Sequence, residues 1–342
     1  MSELWSWQVL PTLSRLLSLL LLLLRVLTRR LRRLQSHPVH LARLVLVRRR
    51  RAVGHRLLVM SGKGGVGKST LAYCLALALR GGHVGGDGEA RADQPTAEVA
   101  MLDLDLCGPS LPRLAQLSDA KVTSTPSGWV PPRSPDHGIP IMSSQFLLPT
   151  PDTPLPWRGP RKSHLIRRFI GETYWSRQDF LLIDTPPGTS DEHLAVLGVL
   201  SAAAAPHGAL IVTTPSAVAL AVVTRQLTFC RKMSIPIIGI VENMGAHVCP
   251  CCQNVTNLFG PSAGEEQEMD EYVAKGGGSV REAADAHGIP FLGAIPQDPQ
   301  VAADLDKGQC PMCTHPESPA VPAIERLARR VREEVERVAE KK

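Results

Sequence analysis

Aromatic residues are scarce: three tyrosines, six phenylalanines and five tryptophans make up 4% of 342 residues. Sequence-tolerant binding of single-stranded nucleic acid uses aromatic platforms for the bases, so that class of function has little to work with here. Cysteine is sparse as well, eight in all and none before Cys74, too few to staple a chain of this length as a disulfide scaffold. Long apolar runs are missing. The leucine run Leu16–Leu24 (LLSLLLLLL) is nine residues between Arg15 and Arg25, against the roughly 20 that a helix needs to cross a bilayer. Extending it to Leu4 and Leu27 takes in both arginines, each costly at mid-membrane. No small-residue cleavage site follows the run, which speaks against a secretory signal. There are no internal repeats.

Acids are nearly absent from one end. Residues 1–56 hold twelve arginines and a single acid, Glu3, although the whole chain is only +6. The remainder is therefore mildly acidic, with no general electrostatic reason to bind nucleic acid. Arginine richness with one acid suits an organelle transit peptide or a membrane-surface helix. A dispensable or mis-started extension is the third reading, and all three stay open for residues 1–55.

What is present begins at Ser61–Thr70, SGKGGVGKST. It contains Gly-x-x-x-x-Gly-Lys-Ser from Gly62 to Ser69, entered from an apolar run, Leu57–Met60, and left through another, Leu71–Leu79. The first reads as a buried strand and the second as a buried helix. That strand–loop–helix context makes the motif a phosphate-binding loop. Gly64, Gly65 and Gly67 allow close backbone approach, so that amides around Val66 and Thr70 point at phosphate oxygens. Lys68 then reaches the β- and γ-phosphates, and the Ser69 hydroxyl ligates Mg²⁺. Lys63 is a second lysine at the start of the loop. It resembles the deviant Walker A group of dimeric ATPases (nitrogenase iron protein, arsenite pump ATPase, the Min/Par proteins), in which this lysine contacts nucleotide held by the facing subunit.

Downstream, Val99–Leu104 reads as a strand delivering Asp103 and Asp105 at its carboxyl end, the edge where ligands bind in an open parallel sheet. Asp105 is a candidate for orienting the attacking water; one of the pair acting only as a loop cap is the alternative. Residues 121–160 are proline-rich, with a possible strand in Ile139–Leu148. Phe180–Ile183 is an apolar strand ending at Asp184, a Walker B pattern presenting one carboxylate to Mg²⁺. Pro186-Pro187-Gly188 follows, where a glycine amide could sense a γ-phosphate. Ala209–Thr213, Ile237–Val241 and Ile289–Ile295 read as further strands, Ala217–Arg231 and Ile324–Lys342 as helices, and Pro261–Lys275 as an exposed acidic insertion. Glu242-Asn243-Met244 is expected to close its strand, with Asn243 facing an adenine edge or capping the loop.

Cys249 and Cys252 (CPCC) form a Cys-x-x-Cys pair able to direct two thiolates at one metal or cluster. One pair is half a tetrahedral site, so the remainder comes from elsewhere in the chain or from a copy across a dimer axis. A redox dithiol or a structural role are the competing readings. Cys310 and Cys313 (CPMC), expected in a polar loop, either complete a metal site in the same chain or coincide by chance.

Taken together, the phosphate loop, LDLDLCGPS (102–110), WRGP (157–160), DTPPGTSDEH (184–193), FCRK (229–232), VENM (241–244) and CPCC resemble the Mrp/nucleotide-binding-protein family of iron–sulfur cluster scaffold ATPases. The likeness runs from about residue 56 to 330 and is strongest to its cytosolic branch. FCRK argues against the mitochondrial relative, and the lack of cysteine before Cys74 against the larger cytosolic subunit. The resemblance implies a doubly wound α/β fold over 56–342 with a mostly parallel sheet of about seven or eight strands. It also implies ATP hydrolysis with Mg²⁺ and a [4Fe–4S] cluster held between subunits by Cys249 and Cys252 of each. By motif, Lys63 and Lys68 take the two lysine roles, Ser69 and Asp184 the Mg²⁺ roles, and Asp105 the water role. The implied partners are a larger scaffold subunit in a heterotetramer, a second copy in a homodimer, and apo iron–sulfur proteins in the cytoplasm and nucleus. A Min/Par-like membrane switch and an electron-donating reductase are the other classes. The chain departs from the family's pattern at residues 82–97 and 261–275, at Ala221–Arg225, and in the extra thiol of Cys251.

Overall fold

The computed structural model describes residues 53–340 apart from 82–95, 107, 127, 149–158, 202–207, 250, 261–262, 265 and 277. The readings offered above for the basic segment 1–52, most of the glycine-rich stretch 82–97, Cys107 and Trp157-Arg158 lie outside the described residues.

The elements in chain order are β1 (Val53–Ser61), α1 (Lys68–Arg80), β2 (Val99–Asp103), α2 (Leu111–Leu114), β3 (Thr123–Thr125), β4 (Gly128–Val130), β5 (Ile141–Met142), α3 (Gly159–Glu172), β6 (Gln178–Asp184), α4 (Asp191–Ser201) and β7 (Gly208–Thr213). Then come α5 (Ala217–Lys232), β8 (Ile237–Val248), β9 (Val255–Asn257), β10 (Glu266–Gln267), α6 (Met269–Lys275), α7 (Ser279–His287), β11 (Phe291–Gln297), α8 (Pro299–Asp306), α9 (Pro311–Thr314) and α10 (Ala320–Glu340).

Continuous apolar runs form the central strands because both faces of the sheet are covered. Side chains alternate between two cores. Leu57 and Val59 of β1, Met101 of β2 and Leu182 of β6 enter one; Leu58, Met60, Leu102 and Ile183 enter the other. Helix α1 is buried almost all round and lies in the first core with α10, whose Val321, Ile324, Leu327, Ala328, Val331 and Val335 form one apolar stripe. That spacing is the amphipathic pattern of a helix laid on a core.

Seven strands are parallel, in the order β5-β2-β6-β1-β7-β8-β11. β9 pairs antiparallel with the far end of β8 and β10 with β9, making a nine-stranded sheet. The chain works outward from β1 through β2 and β5, returns to β6, then crosses β1 to β7. This reversal opens a crevice at the carboxyl ends of β1 and β6, the place where a doubly wound sheet takes its ligand.

One expectation is borne out over a shorter length and two are corrected. Within Ile139–Leu148 only Ile141–Met142 is strand; a 3₁₀ turn, Ser144–Leu147, follows, with the Ser143 hydroxyl accepting from the Gln145 amide. Glu242-Asn243-Met244 does not close its strand: β8 continues to Val248 because β11 pairs along one side and β9 takes up its free end. The acidic stretch 261–275 is not wholly an exposed insertion. Asp270 and Glu271 face solvent, while Tyr272 and Val273 on the other side of α6 are buried; α6 packs against β11.

Candidate functional site

The loop from β1 to α1 curls because two of its glycines take left-handed angles, φ +79° at Gly65 and +76° at Gly67, which other residues adopt only with strain. Gly67 also starts the helix, its carbonyl accepting from the Leu71 amide at 2.8 Å. Loop residues Lys63 to Thr70 line a cavity of about 230 Å³ closed by Asp105 and Pro187. Gly62 sits against Val222 at the loop entrance. Lys63 is exposed, whereas Lys68 is buried at 6% exposure.

Beneath the loop, Lys68 Nζ is paired with Asp184 Oδ1 and lies 3.2 Å from Ser69 Oγ, which donates to Asp184 Oδ2 at 2.5 Å. Asp103 is also fully buried, held by the Asp105 amide at 3.1 Å and the Ser143 hydroxyl at 3.3 Å. Burial pushes both carboxyls up, that of Asp103 further because Asp184 adds its negative charge, while Lys68 opposes the shift. Two buried carboxyls against one ammonium leave the site short of positive charge. Its hydroxyl and carboxylate oxygens are the hard donors that Mg²⁺ prefers, so the donor set fits that ion. Of the aspartate pair, Asp103 holds the turn, while Asp105 lines the phosphate cavity and accepts from the Gly108 amide at 3.1 Å. The Pro-Pro-Gly turn is strapped to β1: the Gly188 amide donates to the Ser61 carbonyl at 2.8 Å, and the Thr185 hydroxyl to the Val59 carbonyl at 2.9 Å.

Past Gly67 a second cavity opens, about 540 Å³ and mainly apolar, between the start of α1, Asn243-Met244, the Ile295–Pro299 turn and α8. Asn243 lies within β8 rather than in a loop, and its Nδ2 donates to the Val66 carbonyl at 2.9 Å, so it clasps the phosphate loop from the side. The Pro296-Gln297-Asp298 wall was missed from the sequence. The signal was there, since β11 is a parallel strand and its carboxyl end belongs to the ligand-binding edge. A methyl at Gly67 would stand 2.4 Å from Asn243 Nδ2 at φ +76°. Gly67→Ala is therefore expected to weaken ADP binding by at least about tenfold, roughly 1.4 kcal/mol, read by isothermal titration; unchanged affinity would contradict this geometry.

Cys249, Cys251 and Cys252 occupy the tip of the β8–β9 hairpin. The turn is closed by Cys249 N to Asn254 O and Gln253 N to Cys249 O, both 2.9 Å, with Gln253 at φ +61°. Cys249 is half-buried and the other two are exposed. The amides of Cys252 and Cys251 hold the Cys249 thiol below its ordinary value, since they bond to its anionic form. The second pair is not in the expected polar loop: Cys310 is 5% exposed and caps α9, and His137 joins it and Cys313.

Residues 52–332 match the family described as ParA: NUBPL iron-transfer P-loop NTPase. The chain belongs to that family. Among its relatives, the bovine (Bos taurus) protein named cytosolic Fe-S cluster assembly factor NUBP2 is 45% identical over 280 residues, 82% of this chain and 92% of the relative. The Xenopus laevis protein of the same name is also 45% identical, over 82% and 93%. Of solved structures, the Archaeoglobus fulgidus nucleotide-binding protein in complex with ADP is 35% identical with a TM-score of 0.59, covering 78% of this chain and 90% of that one. The Pyrococcus furiosus cell division ATPase MinD, 20% identical with a TM-score of 0.51 over 82% and 99%, shares the fold. An iron-transfer P-loop NTPase is thus a nucleotide-binding ATPase with the mostly parallel, doubly wound sheet expected from the sequence.

Proposed function

We propose that this protein is an ATP-dependent scaffold that assembles [4Fe–4S] clusters and transfers them to cytosolic and nuclear apo-proteins. The cluster, its cargo, is held by Cys249 and Cys252 together with the same pair of a facing subunit, either a second copy or a larger family member. The observation that carries the reading is the thiol pair just past the end of β8, half-buried Cys249 and exposed Cys252, on the strand whose Asn243 lines the cavity beside the phosphate loop. It occurs in a chain 45% identical to a relative named as a cytosolic Fe-S cluster assembly factor.

In this reading the loop amides and Lys68 hold the phosphates, Ser69 and Asp184 hold Mg²⁺, and Asp105 orients the attacking water. Exposed Lys63 reaches nucleotide in the facing subunit, and Pro187 borders the phosphate cavity; the Gly188 amide expected to sense the γ-phosphate is instead engaged by the Ser61 carbonyl. Mg²⁺ supplies charge stabilisation when bound; the protein contributes position and a buried ammonium at the transferring phosphoryl group. Asn243 and the Pro296–Asp298 wall receive the adenine.

Anaerobic reconstitution with iron and sulfide tests this. Wild type is expected to take up about four irons per dimer, as a cubane ligated by four thiolates requires, with thiolate-to-iron charge-transfer absorption. Cys249→Ala/Cys252→Ala is expected to take up almost none. Equal loading in both moves the ligands elsewhere. Loading in neither, even with the larger subunit present, overturns the scaffold reading and favours a membrane switch acting through the basic N-terminal segment; no described helix is long and apolar enough to cross a membrane.

A further inference from the structure

We propose that His137, Cys310 and Cys313 form a second metal site, taking a single zinc-type divalent cation that fastens the α8–α9 wall of the nucleoside cavity to the turn before β5. It is independent of the cluster-scaffold reading, because it uses none of the hairpin cysteines.

The ligand atoms of the three residues all lie within 4.8 Å of one another. Zinc with thiolates at ~2.3 Å and imidazole at ~2.0 Å sets tetrahedral ligand separations of roughly 3.4–3.8 Å. Closing on the ion therefore shortens any separation by at most about 1.4 Å, shared between two side chains and within reach of their rotation.

The local folding explains the arrangement. Cys310 caps α9 and Pro311 begins it; the amides of Cys313 and Thr314 both return to the Cys310 carbonyl, at 2.9 and 3.0 Å. One helical turn thus places the two sulfurs, three residues apart, on one side. That turn is braced from behind by the fully buried Asp304 of α8, which accepts from the Thr314 hydroxyl at 2.7 Å and pairs with His315 Nδ1 at 2.6 Å. His137 also sits on a built turn. Gly138 N bonds Ser134 O at 2.9 Å, Ile139 N bonds Ser134 Oγ at 3.0 Å, and the Arg133 guanidinium donates to Gly138 O at 2.7 Å.

The ligand chemistry selects the occupant. Two thiolates and an imidazole are borderline-soft donors that suit zinc and not magnesium or calcium. Three protein ligands leave the fourth position for water. An iron–sulfur cubane would need a fourth cysteine or a facing copy, and Cys310 is buried inside its own chain. Cys310 and Cys313 are free thiols and not a disulfide. The position gives the site a consequence: Val301, Ala302 and Asp306 of α8 line the nucleoside cavity only a few residues before Cys310. A bound ion would hold that wall in place.

The test uses the full-length chain with Cys249→Ser, Cys251→Ser and Cys252→Ser, reduced and stripped by chelator, then titrated with Zn²⁺ against a chromogenic chelator and separately with Co²⁺. One zinc per chain is expected, with sulfur-to-cobalt charge-transfer absorption, tetrahedral ligand-field bands and a zinc-dependent rise in Tm. Cys310→Ser and Cys313→Ser in that background are expected to lose more affinity than the roughly 10–100-fold that removing an orienting partner costs. His137→Ala, at a half-buried turn, separates ligand loss from unfolding: it is expected to keep the wild-type circular dichroism and lose zinc affinity at least tenfold. No zinc uptake by the folded triple variant overturns the proposal. So does zinc uptake by His137→Ala or Cys310→Ser equal to that of the triple variant, or a Cys310–Cys313 disulfide that persists in the reducing, zinc-loaded protein.

Discussion

Lys68→Ala is expected to lower kcat/KM for ATP by about a thousandfold or more, and also to destabilise the protein without ligand. The first effect follows from the role proposed for Lys68, a preorganised cation at the transferring phosphoryl group, where loss of even one neutral donor costs about 10²–10³ in rate. The second follows from the two buried carboxyls that Lys68 faces. With the ammonium gone, Asp184 is left in a site with no exposure, and breaking such a pair costs about 3–5 kcal/mol when the orphaned charge stays ionised. The carboxyl escapes by taking up a proton. Its folded pKa, already raised by burial, then rises further without the opposing ammonium, so the variant recovers more stability than wild type as pH falls from 7 towards 5. Urea midpoints at the two pH values, with single-turnover hydrolysis, read both effects. Lys63→Ala separates them: Lys63 is exposed, so its loss is expected to slow hydrolysis at an unchanged urea midpoint. Turnover by Lys68→Ala within tenfold of wild type would remove this lysine from the mechanism.

Wild type is expected to lose about 3 kcal/mol of stability between pH 6.5 and 4 through His193 alone. This residue lies in the first turn of α4, just after the Pro-Pro-Gly turn, and is fully buried. Its Nδ1 accepts from the Ser190 amide at 3.2 Å, which puts the proton of the neutral ring on Nε2, and the Phe229 ring meets it edge-on. Burial lowers its pKa from 6.5 to about 4; Glu192 resists and Lys68 assists. Inside that window the unfolded chain binds a proton that the native ring refuses, so stability is full above 6.5 and declines as pH falls, until about 4. At 1.36 kcal/mol per pKa unit, a shift of this size is worth ~3 kcal/mol. The raised carboxyls of Asp103 and Asp184 act with the opposite sign, which makes the difference between wild type and His193→Gln the informative quantity. The variant is expected to show a shallower loss of urea midpoint from pH 6.5 to 4; equal slopes would show that His193 does not titrate against folding.

What could be read from the sequence was what is local. The loop Gly62–Thr70 carries its strand, its glycines and its helix within one stretch, so both fold and phosphate chemistry follow from neighbours in the chain. Asp184 was legible for the same reason, as an apolar strand ending in a carboxylate. The elements that eluded it are fixed by distant partners. Nothing near Asn243 says that β8 runs on to Val248; β11 and β9 decide that. The face of α6 that buries Tyr272 exists because β11 lies under it, and the acids beside it disguise the burial. His137 and the CPMC turn are far apart in sequence, and only the packing of α8 and α9 beside the turn before β5 joins them. The Pro296–Asp298 wall needed only the strand-end rule already applied to β2 and β6.

Asn243 and Cys249 belong to one continuous strand and its first turn residue, six positions apart, or roughly 20 Å at the rise of an extended chain. A paired strand is stiff along its length, and β8 stays paired beyond Asn243, to β11 as far as His247 and to β9 as far as Val248. The clasp on Val66 and the thiol hairpin are thus carried by a single backbone element, with no unpaired segment between them.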